Sequence, residues 1–155
     1  MYKKILLPLD GSELAECVLP HADSIAKGCG VQEVVFLRVV EPFHIPSGYG
    51  GTGLSEEDIR LIDSDNKASA ENYLDQLVGR TKFNGAIIHS EIIFGKASES
   101  IAGYATKNNV DLIIIATHGR SGVSHWIWGS VADRVLRSAC VPVLMIRAPG
   151  CVPGI

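Results

Sequence analysis

Hydrophobic residues arrive along this chain in five short, dense runs: "KKILLPL" at 3–9, "EVVFLRVV" at 33–40, "AIIHSEII" at 86–93, "DLIIIAT" at 111–117 and "VPVLMIR" at 141–147. Each is strand-length and rich in Val, Ile and Leu, and "LIIIA" is apolar on both faces, the mark of a central strand in a parallel sheet. Helical patterns lie between the runs. The first is predicted over 13–28, with Ser12 as N-cap, Glu13 and Glu16 near its positive end, and Gly28 or Gly30 at its exit. Ser55, followed by Glu56, Glu57 and Asp58, opens a second helix reaching 79. A third spans 98–108 and a fourth 129–138. Strict alternation of strand and helix predicts an α/β fold: one domain, a doubly wound five-stranded parallel sheet with helices on both faces. Such sheets bind ligands in the crevice beyond the strand carboxyl ends, where strand order reverses. Two predicted strand ends carry useful chemistry, Asp10 after the first and Thr117-His118-Gly119 after the fourth.

Composition narrows the function classes. A chain of 155 residues suits a single core, removing roughly 68–70% of its unfolded surface from water. A net charge of −3 argues against a broad basic face for nucleic acid. It leaves room for a small anion, which a nest of backbone N–H groups can hold without a positive net charge. The opening "MYKKILLPLD" is interrupted by Pro8 and Asp10, too soon for a signal-peptide core or a membrane span, so a cytoplasmic protein is expected. Cys17, Cys29, Cys140 and Cys151 form no CxxC pair and no ligand spacing with histidines, which disfavours a zinc site or a disulfide framework. Gly48, Gly50 and Gly53 spell G-x-G-x-x-G, but Glu41 to Ser47, with two prolines, separate them from the strand end. A flexible loop fits that context better than a dinucleotide fingerprint.

The stretch "ATHGRSGVSHWIWGS" at 116–130 is the richest in chemistry. It lacks the lysine of a Walker A loop. Gly119 and Gly122 allow positive φ and close approach to a ligand, so that N–H groups converge on an anion. Gly129 and Ser130 begin the fourth helix, whose unsatisfied N–H groups and positive dipole end favour phosphate, and the serine hydroxyl adds a hydrogen bond. Arg120 supplies a mobile cation.

With Asp10 at one strand end and this loop at another, the sequence closely resembles the universal stress protein family from Tyr2 to about Arg147. The resemblance rests on "ILLPLDGSELAE", "GKASESIAGYA" and "ATHGRSGVSHWIWGSVADRVLRSACVPVLMIR". The family's nucleotide-binding branch has the pattern G-x2-G-x9-G-[S/T]. Here Gly119, nine intervening residues and Gly129-Ser130 match it, and Ala116 stands for the first glycine. A methyl group is tolerated there if φ is negative, as expected at a strand end.

The resemblance implies strand order 3-2-1-4-5 in an adenine-nucleotide alpha-hydrolase-like fold, with residues 1–147 as the nucleotide-binding domain; the short tail at 148–155, with two prolines and two glycines in "PGCVPGI", is expected to be frayed. It implies that Pro8, Leu9 and Asp10 border adenine and ribose and that Val39 flanks the base. Ile115, Ala116, Thr117, His118, Gly119, Arg120, Ser121 and Gly122 would wrap ribose and phosphates, with Ser130, Val131 and Ala132 completing the phosphate side after Gly129. The ligand would be ATP, ADP or AMP, with Mg or Mn held through the phosphates and not by protein side chains. The last run, Val141 to Arg147, would be an edge strand pairing two copies into a homodimer, since an open apolar edge is a liability.

The function implied is a cytoplasmic stress-response regulator switched by an adenine nucleotide, with a protein partner that the sequence does not identify. A slow ATP hydrolase and an interaction module that has lost its ligand stay open as alternatives. "PLDGSEL" does not supply the serine- and glycine-rich phosphate loop of related pyrophosphatase-type folds, and no acid pair is dedicated to activating water. Asp10 also has a local reading, a capping box with Glu13, for which Ser12 competes. His118 reads as a loop-shaping residue without a catalytic partner. Trp126 and Trp128 read as packing or interface residues, because "SHWIWGS" lacks the interleaved basic residues of a base-stacking surface.

Overall fold

A computed structural model of the chain describes residues 1–43, 55–117 and 130–149. Five strands, β1 (Lys4–Pro8), β2 (Glu33–Val40), β3 (Ile87–Phe94), β4 (Leu112–Thr117) and β5 (Val143–Arg147), form one sheet in the order β3-β2-β1-β4-β5. Every pairing is parallel. Helices α1 (Leu19–Cys29), α2 (Glu56–Arg80), α3 (Ala97–Lys107) and α4 (Ser130–Ser138) cover it. Period-two alternation divides the sheet into two apolar faces. Ile5, Leu7, Val34 and Phe36 pack with Ala22 and Ala26 of α1 and Leu74 and Leu77 of α2, whereas Leu6, Val35, Leu37 and Ile113 pack with Ile101 and Ala105 of α3 and Val135 of α4. Being buried on both sides is what makes these runs nearly continuous in apolar residues.

The register of β1 against β4, Ile5 to Leu112 and Leu6 to Ile113, makes those strands neighbours and places the switch point between them. Asp111 helps to set it. Its carboxylate accepts the backbone N–H groups of Lys3 at 2.8 Å and Lys4 at 2.9 Å. Those two bonds favour the ionised form and hold the carboxyl below the usual aspartate range.

The first helix departs from the sequence expectation. Instead of an α-helix from 13, Ala15–Val18 form a 3-10 turn and α1 begins at Leu19. Pro20 is the reason, since it has no N–H to give to the Glu16 carbonyl four residues back. That oxygen accepts from Leu19 in a tighter three-residue step. The exit is as expected, at Gly30 with φ 65°. α2 opens on a full capping box, with Ser55 Oγ accepting from Asp58 N at 3.1 Å and Asp58 Oδ2 accepting from Ser55 N at 2.7 Å. No helix among the described residues is long and apolar enough to cross a membrane. Cys17, Cys29 and Cys140 are free thiols.

Candidate functional site

β1, β2 and β4 end at one edge of the sheet, and α3 and α4 begin beside it. A cleft of about 250 Å³ lies there, lined by Pro8, Leu9, Asp10, Ala15, Leu37, Arg38, Val39, Ala97, Ile101, Ile115, Ala116, Val131 and Ala132. The sequence expectation named eight of these: Pro8, Leu9, Asp10, Val39, Ile115, Ala116, Val131 and Ala132. They come from four separate stretches of chain and meet at the crevice the strand order creates. Thr117 is not in the lining; it is buried, and its carbonyl accepts from Ala148 N at 3.1 Å, prolonging the β4–β5 ladder. His118, Gly119, Arg120, Ser121, Gly122, Trp126, Trp128 and Gly129 lie outside the described residues, as do Gly48, Gly50 and Gly53. Ser130 is described as the first residue of α4.

Ala116 sits in β4 opposite Ile146. Asn109 is the one non-glycine with positive φ among the described residues, so the methyl of Ala116 is accommodated without backbone strain.

Asp10 and Ser12 are arranged by a local turn. Asp10 Oδ1 accepts from Ser12 N at 2.9 Å and from Ser12 Oγ at 2.5 Å, while Ser12 Oγ accepts from Ala15 N at 3.2 Å. Ser12 is therefore the cap of the turn, and Asp10 holds that cap in place. The same bonds orient the Asp10 carboxylate at the mouth of the cleft.

Five lining residues escaped the sequence reading: Ala15, Leu37, Arg38, Ala97 and Ile101. Arg38 had a legible signal, a charge near the carboxyl end of β2 between the apolar stretches Val34 to Leu37 and Val39 to Val40. Its half-buried guanidinium donates from Nη1 to Leu9 O over a long 3.5 Å. Ala97 and Ile101 are four apart on α3 and share one face of it. The chain reaches α3 through Gly95, where φ is 152° and an added Cβ would stand 2.8 Å from Ser100 Oγ, a turn only glycine makes without strain. Glu41 fastens the far side, its Oε1 accepting from Ala97 N at 3.2 Å, a favourable place for a carboxylate at a helix start.

Behind the site, Glu16 ties the turn after β1 to α2. Its carboxylate accepts from Arg80 Nη2 at 2.6 Å and from the Tyr73 hydroxyl at 3.2 Å. Burial, and then the Glu16 charge, push the Tyr73 phenol well above its ordinary range. Among the described residues no group of three His, Cys, Asp or Glu side chains could hold a metal ion. The cleft combines apolar walls with one carboxylate and one guanidinium, suited to holding a flat ring by its faces and reading its polar edge.

The chain matches the profile of the Universal stress protein family over residues 1–147. It is 32% identical over 151 residues to the universal stress protein MJ0531 of Methanocaldococcus jannaschii, spanning 96% of this chain and 84% of that protein. The solved structure of MJ0577 from the same organism superposes with a TM-score of 0.79 at 29% identity, covering 97% of this chain and 99% of that one. A family protein from Arabidopsis thaliana, solved with AMP bound, shares the fold with a TM-score of 0.63 at 16% identity, over 96% of this chain and 93% of that one.

Proposed function

The chain belongs to the universal stress protein family, and from that premise we propose that it binds an adenine nucleotide in the cleft at the carboxyl edge of its sheet. The observation carrying the proposal is the convergence on one cleft of Pro8, Leu9, Asp10, Val39, Ile115, Ala116, Val131 and Ala132. In this reading the base lies between Leu9 and Val39, with the Asp10 carboxylate at its edge. Ribose and phosphates run past Ala116 toward the start of α4, where Gly129, Ser130 and Val131 present unsatisfied N–H groups to the anion. Residues 118–122, Arg120 among them, complete the phosphate side. The AMP bound to the Arabidopsis relative supports the ligand class. A divalent Mg or Mn ion would come with the phosphates. The cell uses such a protein as a cytoplasmic stress-response switch whose shape or partner changes with the nucleotide it holds.

The test is direct. Protein purified from cells and denatured is expected to release adenine nucleotide to mass spectrometry, and the refilled protein to bind ATP, ADP or AMP by titration calorimetry. Release of none, together with no heat of binding, overturns the reading.

β5 is an edge of the sheet and its Val143, Leu144, Met145 and Ile146 are only half-buried, so the proposal includes a homodimer that pairs Val141 to Arg147 across a two-fold axis. Light scattering is expected to give twice the 16.6 kDa chain mass. A monomer mass at micromolar concentration removes this part.

A further inference from the structure

A second cleft, of about 610 Å³, opens beside the first, walled on its outer side by Glu41, Asn66, Ser69 and Tyr73. The two clefts share Asp10, Arg38 and Val39. Strand alternation explains the arrangement. Phe36 belongs to the α1 and α2 face of the sheet and Leu37 to the other, so Arg38 projects toward α2 while Val39 packs toward α3 and α4. The two clefts therefore meet over the end of β2. Nothing in a site for unmodified adenine nucleotide requires the second one.

We propose, resting on the nucleotide reading above, that this second cleft is an annex which takes an uncharged polar substituent carried on the exocyclic N6 of the adenine. Two of the shared residues, Asp10 and Val39, are those that the nucleotide reading places against the base, so the base edge faces the annex. Asp10 accepts and never donates as a carboxylate, and Arg38 donates and never accepts. Adenine offers N6–H as its exocyclic donor and ring nitrogens as acceptors, so Asp10 draws N6 to the junction while Arg38 faces a ring nitrogen. An N6 bearing one substituent keeps one N–H for Asp10 and directs the substituent past the end of β2. The annex walls carry both signs, Arg38 against Asp10 and Glu41, and Asn66 and Ser69 supply donors and acceptors. A hydroxyl or amide suits such walls, whereas a full charge of either sign meets its like. The volume lies within the roughly 300–1,000 Å³ of small-molecule sites.

Calorimetry with ATP and N6-(2-hydroxyethyl)-ATP tests this. The wild-type chain is expected to bind the two with dissociation constants within about threefold of each other. Ser69 and Asn66 are exposed on α2, so Ser69→Trp and Asn66→Tyr fill the annex without burying anything new, and thermal melts should stay at the wild-type midpoint. Each variant is expected to keep ATP affinity and to weaken the substituted nucleotide by about tenfold or more. The annex is refuted if wild type binds ATP but rejects the hydroxyethyl analogue, or if the variants affect both nucleotides alike or neither. Failure of wild type to bind either one overturns the nucleotide reading itself, and the annex with it.

Discussion

Phe36→Ala is expected to cost about 3–5 kcal/mol of folding stability, the range for deleting a large buried ring. Phe36 is fully buried in the middle of β2, beside Leu7 of β1 in the parallel register. Its ring meets Phe83 edge-on, with centroids 6.1 Å apart and planes at 72°, a geometry that adds to simple burial. Phe83 follows α2 and is itself buried, so the pair seals the end of that helix against the sheet. Neighbours on a rigid strand cannot collapse fully into the void, and the cavity adds to the lost transfer energy. Urea titration should show a lower midpoint with an unchanged slope. Phe36 does not line the cleft, so nucleotide affinity below the unfolding transition should hold. A loss under about 1 kcal/mol would mean that this face is far looser than its burial indicates.

That β2 was legible as a strand, and Arg38 within it was not read as part of a site, has one cause. Apolar density locates a strand buried on both faces, and a single charge inside the run then passes for an interruption. Its meaning depends on which strands lie alongside, because Arg38 reaches the site across Leu9, just after β1 and 29 residues away. The α1 boundary failed for a local reason: Ser12 does cap a turn, but Pro20 forbids the α-helical bond that would carry it forward. Asp10 shows the converse. Its place at a strand end was plain, yet only the geometry shows it serving Ser12, so one carboxylate both shapes the turn and faces the cleft. Leu37, Ala97 and Ile101 are ordinary core residues by sequence, and they become lining because the cleft opens where β2 ends and α3 begins.

Ala116 is the position at which ligand binding should be most easily destroyed without harm to the fold. It stands where the family pattern has glycine, in extended backbone, half-buried and on the cleft wall. Leucine at 116 places three more carbons in a cleft of about 250 Å³. The strand offers no other direction for them, since the side chains of a strand stand nearly perpendicular to the sheet. Ala116→Leu is therefore expected to weaken ATP at least about 100-fold, or about 2.7 kcal/mol. Ala116 lines the cleft and also packs against the α1 and α2 face of the core, so the thermal melt separates lost packing from lost binding. Ala116→Gly removes the methyl and widens the passage toward the family pattern, and it should bind ATP within about threefold of wild type. Calorimetry beside a thermal melt distinguishes the outcomes. A folded Ala116→Leu protein that binds ATP with wild-type affinity would place the nucleotide elsewhere on the molecule, and Leu9, Val39 and Val131 would then be nothing more than the rim of an empty crevice.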